Sequence, residues 1–113
     1  MVKHIIGLVE PVKVMNKKFL AKVDTGAKRN SIDLSIAKKL GLTRSLWGIR
    51  KVKSANGEEY RPVIKAKIKI GHRNIPTTFT VTRRENLKHK ILIGTNTLKR
   101  GFIVDIARWK KFD

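Results

Sequence analysis

Asp24 stands in Asp24-Thr25-Gly26-Ala27, at the end of a stretch in which Phe19, Ala21 and Val23 alternate with Leu20 and Lys22. A carboxylate delivered to the end of a strand can act as a general base or acid, taking a proton from water or returning one. Two such groups held close cannot both ionise, so they share a proton and divide the roles. This chain has one Asp-Thr-Gly; Asp33 and Asp105 lie in other contexts. Asp, Thr and Gly all favour turns, so the tripeptide alone also reads as a hairpin corner or a helix cap. Its surroundings favour chemistry. An apolar strand precedes it, the small Ala27 follows, a helix comes soon after, and about seventy residues later comes Ile91-Leu92-Ile93-Gly94 with Asn96 and Leu98 behind it.

Other chemistries are poorly served. A zinc hydrolase needs three good ligands and an open position, but His4, His72 and His89 are scattered and there is no His-Glu-x-x-His. Each reads as a surface residue. The chain has no cysteine, which removes thiol catalysis, disulfides and cysteine zinc clusters. It has no glycine-rich lysine loop for ATP phosphates. The residues call for no cofactor and no metal.

The elements that must position Asp24 read as all-β with two short helices. Val12 and Val14, then a turn at Asn16-Lys17, then Phe19 to Val23, form a hairpin ending at Asp24. Asp33 is a good N-cap and Gly41 a good C-terminal stop for a helix over Leu34 to Leu40. Asn56-Gly57 is the strongest hairpin signal, between Val52–Ala55 and Glu58–Tyr60. Ile64, Ala66, Ile68 and Ile70 point one way and Lys65, Lys67 and Lys69 the other. A turn at Gly71–Asn74 leads to strand formers over Thr78–Thr82. Ile91-Leu92-Ile93 predicts a strand buried on both faces. Thr95 to Arg100 form a helical turn or two, and Phe102, Val104 and Ile106 a last strand. Trp47 and Trp109 read as core or dimer-contact residues.

The ordered set of Asp24-Thr25-Gly26-Ala27, a hairpin, and Ile91 to Leu98 resembles the retropepsin-like aspartic peptidases, the single-lobe relatives of pepsin. The resemblance covers nearly all of residues 1–113 as one domain. It implies a closed acid-protease barrel, a two-fold homodimer, and hydrolysis of peptide bonds by a water activated between two Asp24 carboxylates. Thr25 would then bond across the two-fold axis, and Gly26 would permit close backbone approach. Lys51 to Pro62 would be the flap that covers substrate, with Asn56 and Gly57 at its tip. Ala27, Lys28 and Arg29 would line the cleft. Retroviral members carry carboxylates just after the loop and a glycine-rich flap; this chain has Lys28 and Arg29 there and only Gly57 in the hairpin. Val23 to Ala27, Ser54 to Gly57 and Leu92 to Gly94 are most similar to a prokaryotic subgroup labelled "ATP-dependent zinc protease" and linked with enzymes that add glutamate tails to proteins.

The 113 residues carry 27 Lys and Arg against 8 Asp and Glu, a net charge of +19. Such a surface attracts polyanions, and a lysine-rich surface also serves heat stability. With positive residues beside the cleft, the expected substrate is an acidic peptide, and the resemblance implies a glutamate-rich one. The second reading is a basic polyanion- or ribosome-binding module on a peptidase-like fold. Against nucleic acid stand the few, scattered aromatics (two Trp, one Tyr, four Phe) and the lack of any recognised motif. The basic residues run along the whole chain and mark no single patch. No apolar run approaches the roughly 18 residues of a membrane span. Without a signal segment or cysteine, the expected location is the cytoplasm.

Overall fold

The computed structural model describes residues 3–55 and 57–108. Nine strands, two short helices and one 3-10 turn follow in order: β1 His4–Ile6, β2 Val9–Val14, β3 Lys17–Val23, β4 Asn30–Asp33, α1 Leu34–Lys39, the 3-10 turn Leu42–Ser45, β5 Leu46–Ser54, β6 Gly57–Ile70, β7 Arg73–Thr82, β8 Ile91–Ile93, α2 Thr95–Leu98 and β9 Phe102–Val104. The fold is mostly β, as the alternation of apolar residues predicts.

Seven strands form one sheet in the order β2-β3-β8-β4-β7-β6-β5, and β2 pairs again with β6 through Val12↔Ile70, Lys13↔Lys69 and Val14↔Ile68. The two remaining strands, β1 and β9, pair in parallel. Inside the sheet, Val12, Val14, Ala21, Val23, Ile32, Ile64, Ile68, Ile70, Phe79, Ile91 and Ile93 make one core. Burying branched side chains contributes about 25 cal/mol per Å² of apolar surface and supplies most of the driving force.

Two turns have clear local causes. Met15 and Asn16 both take positive φ between β2 and β3, so the turn falls one residue before the expected Asn16-Lys17, and Lys17 already belongs to β3. Asp33 caps α1, its carboxylate accepting from the Ser35 N–H, and Gly41 follows the helix with φ of 72°. Helix α1 thus has the expected caps.

β6 is longer than its alternating segment suggests. Its first half pairs with β5 and its second half with β7 and β2. Pro62 lacks an N–H but is tolerated, because it pairs with Ile49 of β5 and the β7 ladder begins only at Val63. Residues 57–62 and their β5 partners therefore project as a two-stranded ribbon. Trp47 on β5 is not in the core: it is 54% exposed, with the Lys65 ammonium 4.9 Å from its ring centre. Trp109 lies outside the described residues. Ile106 follows β9 and is 75% exposed rather than part of it.

Candidate active site

Asp24 emerges at the end of β3, because β3 is clamped on both sides. Its parallel neighbour β8 pairs Val23 with Ile93, and β2 pairs Val9 with Lys22. The ladder continues one step past the strand: the Asp24 N–H donates to the Ile93 carbonyl at 2.9 Å. The chain then turns sharply. The Ala27 N–H reaches back to the Asp24 carbonyl at 3.2 Å, and the Gly26 N–H donates to Asp24 Oδ1 at 2.9 Å. As a residue Asp24 is half-buried, while Thr25 and Gly26 are exposed.

The second element threads along this loop. The Thr95 N–H donates to the Ala27 carbonyl at 2.8 Å and the Asn96 N–H to the Lys28 carbonyl at 3.2 Å. At the crossing, a Cβ on Gly94 would stand 2.6 Å from the Arg29 carbonyl carbon, so only glycine fits without backbone movement. Asn30 fixes the crossing from below. It is fully buried, accepts from the Gly94 N–H at 2.9 Å, and donates to Thr97 Oγ1 at 2.8 Å and the Thr78 carbonyl at 3.1 Å. The sequence reading passed over Asn30. The signal available was its position, three residues beyond Ala27, in a segment too polar to read as the central strand it forms.

Beside the loop lies a cleft of about 630 Å³, walled by Gly26, Ala27, Lys28, Arg29, Ser31, Thr80 and, from the β5–β6 ribbon, Lys51, Val52, Lys53 and Arg61. Ser31 and Thr80 share a hydrogen bond of 3.0 Å on its floor. The wall carries five cations and no carboxylate. Lys51 pairs with Glu58 at 2.9 Å and Arg61 with Glu59, both on the ribbon itself. Among the described residues no carboxylate pairs with Lys28, Arg29 or Lys53. Of the expected substrate-contacting residues, the structure brings Ala27, Lys28 and Arg29 into the wall. Gly57 sits at the ribbon's turn with φ of 106°, and Asn56 lies outside the described residues. Lys51, Lys53 and Arg61 join the wall from the segment expected to be the flap.

Arg84 adds charge nearby. Burial depresses its guanidinium below its ordinary range, and Arg61 pushes the same way, while Asp33 and Asp24 pull it back up. Its Nε donates to the His89 carbonyl at 3.0 Å. Among the described residues, no three His, Cys, Asp or Glu side chains come together to hold a metal ion. No helix of the described chain is long and apolar enough to cross a membrane.

Comparison with known proteins supports the same reading of the fold. A structure of Lpg0085, a protein of unknown function (DUF785) from Legionella pneumophila subsp. pneumophila str. Philadelphia 1, superposes with a TM-score of 0.67 at 20% identity, covering 96% of this chain and 98% of that one. The retroviral protease-like domain of Ddi1 from Leishmania major superposes at 0.60 with 24% identity, covering 82% and 73%. The simian foamy virus (mac) protease superposes at 0.63 with 14% identity, covering 80% and 91%. At these identities the structures speak for fold alone. No curated protein matches the chain. A model of one family, RimB-like, the retropepsin-like aspartic endopeptidase RimB, matches residues 36–110. That match begins beyond Asp24, so the role of the loop rests on its geometry. With more than half of its length matched, the chain belongs to the RimB-like family of retropepsin-like aspartic endopeptidases.

Proposed function

We propose that this chain is an aspartic peptidase that works as a two-fold homodimer and cleaves acidic, glutamate-rich peptides. The observation that carries the reading is the Asp24 loop. It is held rigidly from beneath by Ile93, Gly94 and Asn30, yet Thr25 and Gly26 are left exposed beside a cationic cleft. A chain with one Asp-Thr-Gly offers one carboxylate, and the two-carboxylate mechanism needs a second. A second copy supplies it across a two-fold axis, where the exposed Thr25 and Gly26 become contact residues.

The chemistry follows. The two Asp24 carboxylates share one proton. The ionised one takes a proton from water, and the oxygen attacks the peptide carbonyl carbon. The protonated one supports the developing oxyanion. Collapse breaks the C–N bond as a carboxyl group delivers the proton to the leaving amine. The β5–β6 ribbon covers the substrate and excludes water. Pairing between β2 and β6 supports a closed barrel, and the absence of cysteine suits a cytoplasmic setting.

Asp24→Asn keeps the shape of the loop and removes the shared proton. The variant is expected to fold and dimerise like the parent, and to lose cleavage of a glutamate-rich peptide. Sedimentation measures the assembly. A parent that is active while strictly monomeric, or a variant that cleaves at the parental rate, would refute the reading.

A further inference from the structure

Lysines far apart in sequence meet on the outside of the sheet. Lys13 of β2 pairs directly with Lys18 of β3 on one side and with Lys69 of β6 on the other. Lys67 lies two residues further along β6, on the same face, and Lys22 two beyond Leu20 on β3. All five are exposed. At the end of the row, Lys65 is held over Trp47. Pro76, which pairs with Lys67, has its carbonyl bonded by the Arg100 guanidinium at 2.5 Å. Like charges directly opposite on neighbouring strands destabilise a sheet. Here three sit in one line.

Among the described residues no ion pair joins an acid to these lysines. Glu10, on the same strand as Lys13, is buried and accepts from the Gly7 N–H. Glu58 and Glu59 are on the ribbon, Asp24 and Asp33 at the other end of their strands, and Glu85 and Asp105 beyond β7 and β9. The centre of the face is separate from the candidate site: Lys18 is six residues before Asp24, about 20 Å along an extended strand, and only Lys22, two residues before Asp24, marks the edge nearest the site.

We infer that the outer face of β2, β3 and β6, centred on Lys13, Lys18, Lys67 and Lys69, binds the phosphodiester backbone of a nucleic-acid duplex. Lysines along β6 recur about every 6.6 Å, and the strands lie about 4.8 Å apart. That lattice suits a partner with a dense line of charge, and a duplex carries one charge per about 1.7 Å of axis. The residues between the lysines select among polyanions. Pro11, Leu20, Asn74 and Pro76 include no aromatic on which unpaired bases would stack, and no Trp or Phe to enter a membrane interface; the exposed Trp47 stands only at the end of the row, with Lys65 over its ring. Protein interfaces are depleted of lysine at their cores. What remains is sequence-independent contact to phosphates.

The test uses fluorescence anisotropy with a labelled 20-base-pair RNA duplex and the corresponding DNA duplex. The parent is compared with a face variant, Lys13→Gln, Lys67→Gln and Lys69→Gln, and with a control of equal net charge, Lys38→Gln, Lys39→Gln and Lys99→Gln. The face variant is expected to bind about tenfold or more weakly at 0.1 M salt, and its log–log salt slope on DNA to fall by about 2 to 3, one contact per lysine. The control is expected to change binding less than about threefold. Thermal melting checks folding, and the face variant should melt no lower than the parent because like charges have been removed. Binding of RNA alone, of DNA alone or of both supports the inference and identifies the source of the phosphates. It is overturned if the parent binds neither duplex, if face and control variants weaken binding equally, or if the face variant loses only binding to phosphatidylserine vesicles.

Discussion

Gly94 lies against the backbone of Arg29 so closely that an added Cβ would be 2.6 Å from both the carbonyl carbon and the carbonyl oxygen of that residue. The contact locks the loop that carries Asp24 to the strand that carries Ile93. Neither partner can move aside cheaply, because both are main chain and Asn30 bonds the Gly94 N–H from below. Gly94→Ala should therefore cost about 2 kcal/mol through forced backbone shifts, a fall in melting temperature of roughly 10 °C for a domain of this size. Gly48→Ala, where a Cβ meets nothing within 4 Å, is the control and should stay within about 1 kcal/mol of the parent. Calorimetry on the two variants measures the difference.

Asn30 gathers three parts of the chain through one side chain. It accepts from Gly94 and donates to Thr97 on α2 and to the Thr78 carbonyl on β7. Asn30→Ala leaves a buried N–H and a buried carbonyl without this partner, and unmade buried hydrogen bonds cost about 1–3 kcal/mol each. A loss of about 3 kcal/mol in urea unfolding is expected. Asn30→Asp keeps the acceptor for Gly94 but points a carboxylate at the Thr78 carbonyl, so it should not restore stability.

Those two residues show what a linear reading can and cannot see. Asp24-Thr25-Gly26 and Ile91 to Gly94 were legible because each is local: a turn at a strand end, and an apolar run with a glycine stop. The caps of α1 and the hairpin pairing of β5 with β6 are local as well. β4 was missed because Asn30 and Ser31 are polar, yet they form a strand clamped between β7 and β8. β1 was missed because its three residues gain stability only by pairing with β9 from the far end of the chain. The meeting of Lys13 with Lys18 and Lys69 is likewise a matter of register, which no local propensity encodes. Lys51, Lys53 and Arg61 were visible as flap residues, but their place in the cleft wall depends on how the ribbon folds back.

Asp33 should give the fold an acid limb. Burial, the largest influence, raises its pKa. The Ser35 hydroxyl, the Arg84 and Ser35 N–H groups and the Lys90 charge outweigh it, so the folded carboxyl lies below its ordinary value of 3.8. A lowered folded pKa means that the ionised form is favoured in the native state. The stability it adds is whole above pH 3.8 and is lost as pH falls through the folded value. Asp33→Ala also removes the cap of α1, so it should cost about 1–2 kcal/mol at pH 7. Parent and variant should converge as pH falls below 3.8. Urea titrations at pH 7 and pH 3 measure the gap; a gap that widens in acid would mean that Asp33 is not the group responsible.

Lys28 and Arg29 should help select the substrate. Both line the cleft, beside Lys51, Lys53 and Arg61, and among the described residues neither has a carboxylate partner. A cleft with walls of one sign concentrates ligands of the other and speeds their encounter, by about tenfold or more. Salt screens that attraction over about 10 Å at 0.1 M. Reversing both charges, Lys28→Glu with Arg29→Glu, should lower kcat/KM on a glutamate-rich peptide by about tenfold more than on a neutral peptide of the same length. The parent's preference for the acidic peptide should also shrink as salt is raised. Equal losses on both peptides would point instead to damage of the Asp24 loop, whose backbone at Arg29 packs on Gly94. A parent that prefers the neutral peptide would show that the cationic wall serves something other than substrate choice, and steady-state kinetics at two salt concentrations separates these outcomes.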